Sequence, residues 1–188
     1  MLYKIKEGRS YWIPRKFKIL LFFKKITWTT EPNTSMIFDY QGDKDWMDWK
    51  KIGGISLVNF SNLFNIFIKN RDSIMLAWRY NNEIDLFEYA IYVNNNSKNI
   101  AYDKPDQLLK TKSSNVNLTI EKENGIFKCY LYENGENVNS INIKPRFNPL
   151  FFSLINPWYG GANNSEGPYG GKAPKDMECR IDLHKEFF

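Results

Sequence analysis

Histidine and cysteine are almost missing from this chain of 188 residues, which has one His and two Cys. A single imidazole, His184, makes a histidine metal centre or a Ser-His-Asp triad hard to assemble. Cys129 and Cys179 allow at most one disulfide and form no Cys-x-x-Cys metal motif, so two buried free thiols are expected. Long hydrophobic runs are also lacking. Ile19–Phe23 is apolar, but it spans five residues with lysines on both sides. That is too short for a signal-peptide core or a membrane span. The expectation is therefore synthesis in the cytoplasm, with association with a virion left open, and no membrane partner.

Two further absences narrow the class. The net charge is +5, yet no block of five or six basic residues occurs, so no nucleic-acid partner is expected. Apolar residues rarely recur at i, i+3, i+4, and Gly, Pro and Asn interrupt the chain about every ten residues. Asp45–Lys51 and Asp106–Lys110 are the two segments that could form a helical turn.

What the chain does have is β-hairpin chemistry. Asn124-Gly125 and Asn134-Gly135 lie ten residues apart, each between runs of aromatic and β-branched residues. A two-residue type I′ turn needs positive φ at both central positions, and Asn-Gly supplies it. The predicted strands are Val116–Glu123, Ile126–Glu133 and Glu136–Ile143. Others are predicted over Leu2–Lys6, Phe17–Thr29, Ser35–Tyr40, Gly54–Phe60, Ser73–Tyr80, Glu83–Val93, Leu150–Ile155 and Met177–Leu183. Short strands at this spacing predict an all-β, antiparallel β-sandwich of jelly-roll type, as a single domain over residues 1–188.

Alternation separates wet faces from dry ones. Met177, Cys179, Ile181 and Leu183 share one face of their strand, with Glu178, Arg180 and Asp182 on the other. Leu86–Val93 is apolar or aromatic on both faces, as in a central strand covered twice or one whose outer face lines a groove. Trp78 is predicted to be core, and Arg79 faces the opposite way, where it could meet Glu88 across the Asn81-Asn82 turn.

The segment Tyr130–Val138, reading Tyr-Leu-Tyr-Glu-Asn-Gly-Glu-Asn-Val, resembles the late hairpins of concanavalin A-like and laminin-G-like sandwiches. Leu76–Tyr80, Asn156–Gly161 and Ala173–Asp176 also resemble small uncharacterised sandwich proteins of gut bacteria and their phages. The pattern there is Tyr-Phe-Gly-Gly followed by Ala-Pro-His-Asp. This chain inserts Asn163–Gly171 and has Lys175 in place of the histidine. The resemblance implies a fold and a habitat, and no activity.

Aromatics make up 16% of the chain, with 11 Tyr and 6 Trp, so some are expected to work at a surface. Trp158-Tyr159-Gly160-Gly161 and Pro168-Tyr169-Gly170-Gly171 repeat an aromatic-Gly-Gly unit. Aromatic rings stack on the C–H face of sugars and glycine permits close backbone approach, which reads as a glycan-contacting loop with Asn163, Asn164 and Lys172. The competing reading is that Trp158 plugs the sandwich edge. The candidate ligand-binding residues are Arg79, Glu88, Tyr92, Trp158, Tyr159 and Tyr169. An Arg79–Glu88 pair could orient a polar ligand or serve as a cross-strand ion pair.

Catalytic signatures are sparse. Glu83 and Asp85 share a face, as a surface charge pair beside a turn would. Asp39, Asp43, Asp45 and Asp48 form an acidic loop without an EF-hand pattern. No catalytic residue, metal or cofactor is assigned. The sequence thus predicts a non-catalytic module that contacts glycans. One alternative is a virion assembly protein packing against neighbouring subunits, and another is a glycoside hydrolase or polysaccharide lyase.

Overall fold

The computed structural model describes residues 1–38, 48–66, 71–99, 107–112, 114–159 and 171–187. Among these residues thirteen strands build two antiparallel sheets. They are β1 (Leu2–Ile5), β2 (Ile19–Leu20), β3 (Lys25–Glu31), β4 (Lys50–Val58), β5 (Ser73–Asn81), β6 (Leu86–Asn95), β7 (Lys98–Asn99), β8 (Leu109–Thr111), β9 (Val116–Glu123), β10 (Ile126–Glu133), β11 (Glu136–Ile143), β12 (Phe151–Ile155) and β13 (Met177–Glu186). The first sheet runs β1-β13-β3-β9-β10-β11. The second runs β2-β12-β4-β5-β6-β7, with β8 also paired to β6.

The hairpin meander forms as the turn chemistry requires. Asn124 and Gly125 have φ of 49° and 75°, and Asn134 and Gly135 have 50° and 89°. The strand limits of β9, β10 and β11 coincide with those predicted. On β9, Val116, Leu118 and Ile120 are buried, facing inward.

The core lies between the sheets. Phe23, Phe127 and Phe152 meet there, with ring centroids 4.8 Å apart for Phe23–Phe152 and 5.9 Å for Phe127–Phe152. Trp28 lies against β4 at Gly53, where an added Cβ would come within 2.7 Å of the indole nitrogen. Cys129 and Cys179 are buried free thiols facing this core. Burial pushes the Cys179 thiol up to about 11, against the hydrogen bond with Thr30, and raises Cys129 as well.

Several expected elements differ. Ser35 lies in a short 3-10 turn, Thr34–Met36, because the Asn33 side chain accepts from the Ser35 N–H at 2.8 Å and caps it. Phe17–Thr29 resolves into β2 and β3. Lys50 and Lys51 are strand, at the start of β4, and β4 therefore begins four residues before the predicted Gly54. The part of the expected Asp45–Lys51 turn before Asp48 lies outside the described residues. Leu109 and Lys110 belong to β8 instead of a helical turn, while Asp106 is outside the described residues. Among the described residues no helix is long and apolar enough to cross a membrane.

Candidate functional site on the outer face of the second sheet

Strand parity divides the second sheet into two faces. Ile74, Leu76, Trp78 and Tyr80 of β5 and Phe87, Tyr89, Ile91 and Val93 of β6 enter the core. Met75, Ala77 and Arg79, paired in register with Tyr92, Ala90 and Glu88, form the outer face. A bulge in β4 leaves Ile52 unpaired, which keeps Lys51 opposite Ala77 on the outer face while Lys50 stands opposite Trp78.

Small side chains make the floor of this face. Ala77 and Ala90 let the Trp49 ring lie down on the sheet, with Tyr92 and Leu108 packed beside it. Arg79 crosses that indole, its guanidinium carbon 4.5 Å from the ring centroid. Its Nε donates to Glu88 Oε2 at 2.6 Å. Glu88 is 2% exposed and takes a second hydrogen bond from Asn81 Nδ2 at 3.2 Å, with Lys110 Nζ 3.7 Å from Oε1. Glu88 is thus enclosed by donors and fixes Arg79, which keeps 14% exposure.

A second cation stands one pair further along. Lys51 Nζ lies 4.5 Å from the Tyr92 ring centroid and 5.0 Å from that of Trp158. It donates to the Trp49 carbonyl at 2.5 Å. Burial pulls the Lys51 ammonium down to about 8, with Asp48 acting in the opposite direction. Trp158 is held by reciprocal backbone bonds to Lys51, both 3.0 Å. The arrangement is one cation between two aromatic walls, beside an oriented guanidinium.

No protein-family model and no curated protein matches the chain. Solved structures do. An alginate lyase in complex with dimannuronate superposes with a TM-score of 0.53 at 7% identity, over 100% of this chain and 74% of that one. The marine PL7 alginate lyase from Zobellia galactanivorans gives 0.50 at 11% identity, over 98% and 77%. The fold shared with them is a two-sheet antiparallel jelly-roll β-sandwich.

Within this jelly roll the expected site residues divide. Arg79, Glu88, Tyr92 and Trp158 come together on the outer face of the second sheet. Tyr159 does not join them: it is 1% exposed, inside the core against Phe38 and Trp78, with centroids 5.8 and 6.4 Å away. Consecutive residues of an extended segment point to opposite sides, so placing Trp158 outward sends Tyr159 inward. Tyr169, Asn163 and Asn164 lie outside the described residues, and Lys172 is exposed.

Sequence reasoning did not assign Trp49, Lys51 or Lys110 to the site. One signal for Lys51 was present: two adjacent lysines head an otherwise apolar run, Lys50–Val58, so opposite parity had to send one of them to each face. Asp85, considered beside Glu83, accepts a hydrogen bond from Tyr80, which holds its carboxyl below the usual range.

Proposed function

We propose that the outer face of the second sheet binds acidic polysaccharide, with Arg79 and Lys51 meeting carboxylate groups and Trp158 and Tyr92 flanking the sugar rings. The observation that carries this reading is Lys51 caged by Tyr92 and Trp158 next to an Arg79 whose direction Glu88 sets. A guanidinium held by a carboxylate is pre-oriented, so less freedom is lost when a ligand oxyanion binds. Aromatic walls stack on sugar C–H faces in a sequence-tolerant way. The two alginate lyases of the same fold support an acidic sugar over a neutral one. The test is affinity electrophoresis in gels containing alginate, polygalacturonate or a neutral β-glucan. Retardation confined to the acidic gels, and lost in Trp158→Ala, supports the reading; equal mobility in all gels refutes it.

A second reading, polysaccharide lyase, is favoured by the Lys51 ammonium. A lysine that titrates near 8 can take the proton α to a uronate carboxylate while Arg79 neutralises that carboxylate. The C–H electron pair then forms the new double bond as the glycosidic C–O bond breaks, and the leaving sugar oxygen takes a proton from water, after which Lys51 returns its own to solvent. A hydrolase has less support, because paired-acid hydrolysis needs two carboxylates and Glu88 is the one acidic residue carried by β4, β5 and β6. Ultraviolet absorbance from unsaturated uronate products separates the lyase reading from binding alone.

A further inference from the structure

A second cationic feature lies away from this face, where the edges of the two sheets part. Along β13 the inward row runs Met177, Cys179, Ile181, Leu183, Lys185. The first three are buried, but Leu183 is 40% exposed because the sandwich opens there. The opening is a cleft of about 340 Å³ whose lining includes Trp28, Ile52 and Leu154. Lys185 thus occupies a core-facing position at the mouth of a cavity, where an apolar side chain would continue the pattern.

The opposite wall carries two more lysines. Residues 16–18 are pinned to the second sheet by backbone and side-chain bonds. Asn156 accepts from the Lys16 N–H at 2.9 Å and donates to its carbonyl at 2.8 Å, and the Leu154 N–H donates to the Lys18 carbonyl at 2.9 Å. Lys16 and Lys18 both line the cleft, and Lys18 reaches Lys185 from across it. Desolvation, and then the facing Lys18, pull the Lys185 ammonium down to about 8.

Two like charges held face to face repel, and among the described residues no carboxylate is paired with either. Asp182, the one acid in the lining, is bonded to the Met1 amino group at 2.6 Å and lies 3.3 Å from Arg180. The titratable groups facing the cleft are Met1, just before β1, and Tyr3 on it, Lys16 and Lys18 from the pinned segment, and Asp182 and Lys185 from β13. Cations outnumber acids at an opening walled by Trp28, Ile52 and Leu154.

We propose that this cleft is a binding site for a compact oxyanion, a carboxylate or phosphate group, clamped between Lys18 and Lys185. The anion would supply the charge the pair lacks, and the apolar walls would keep water from screening it. The site does not depend on the outer-face reading, since it shares no residue with it.

The experiment is NMR titration of the lysine side-chain signals with inorganic phosphate and, separately, with galacturonate. Saturable shifts at Lys18 and Lys185, with the Lys185 titration midpoint moving up from about 8 as anion binds, are expected. Lys185→Gln and Lys18→Gln should each weaken phosphate binding about tenfold, the size of one charged hydrogen bond, while Lys144→Gln, at an exposed position on another segment, should not. Galacturonate binding displaced by phosphate would identify the source as a sugar acid; phosphate binding alone would identify a phosphate ligand. Absence of saturable shifts with both probes, or equal affinity in all three variants, overturns the proposal. Alginate retardation unchanged in Lys185→Gln separates this site from the outer face.

Discussion

Arg79 and Glu88 are cross-strand neighbours whose side chains meet at 2.6 Å on a floor of two alanines. Neither Arg79 nor Glu88 is placed by its own chemistry alone. Ala77 and Ala90 let Trp49 lie flat, Trp49 supports the guanidinium, and Glu88 sets its direction.

Removing the carboxylate should therefore be expensive. Glu88→Ala leaves a largely enclosed guanidinium without its acid and should cost about 2–5 kcal/mol in denaturant unfolding. Lys110→Ala, at a side chain 44% exposed, should cost less than about 1 kcal/mol. Equal effects from the two would mean that the pair is not the anchor of this face.

Lys51 and Lys185 make stability depend on alkaline pH. The folded state holds each ammonium at about 8, below the ordinary lysine value of 10.5, so between those values the unfolded chain binds more protons. Stability then rises with pH from about 8 to about 9, above which the two buried thiols, kept protonated by the fold, oppose the rise; the lysine penalty is fully present below 8. Lys51→Met should raise stability at pH 7 and flatten part of that rise, with Lys185→Met flattening the remainder. A wild-type unfolding free energy that falls across this window would contradict the assignment.

Two glycines should differ sharply. At Gly54 an added Cβ would sit 2.2 Å from the Ile74 carbonyl oxygen, between β4 and β5, and no rotamer relieves it. Gly54→Ala should cost more than about 3 kcal/mol or prevent folding. At Gly135 the surroundings are open and the cost is the positive φ alone, about 1–2 kcal/mol. Urea midpoints of the two variants check the order.

The buried thiols should resist modification. With both titrations pushed above the ordinary thiol value by burial, Cys129 and Cys179 should react with a thiol reagent at neutral pH only on unfolding. Prompt labelling of the native protein would place one of them at the surface.

Local chemistry made the hairpin region legible. Asn-Gly turns fix register within a few residues, so β9 to β11 could be read to their ends, and strand alternation was enough to put Arg79 opposite Glu88. What escaped was decided by tertiary structure. The β4 bulge that sends Lys51 outward depends on pairing with β5, and no local pattern in Lys50–Val58 announces it. Asn33 overrode the strand propensity at the start of Ser35–Tyr40 with one side-chain bond to Ser35, while Asp39 and Tyr40 lie outside the described residues. Tyr159 and Trp158 looked equivalent because the aromatic-Gly-Gly repeat says nothing of which side of the sheet edge each ring takes. The cleft lysines were invisible for a different reason: Lys18 and Lys185 are 167 positions apart, and their encounter is a property of the two sheets.

The most direct test of the outer-face account is the affinity of wild type and Trp158→Ala for oligomeric mannuronate, measured by calorimetry on folded protein. The account predicts saturable binding by wild type and loss of about tenfold or more in the variant, with unchanged backbone spectra, as expected for a stacked sugar ring. Binding that survives Trp158→Ala undiminished, or no binding by wild type, would contradict it.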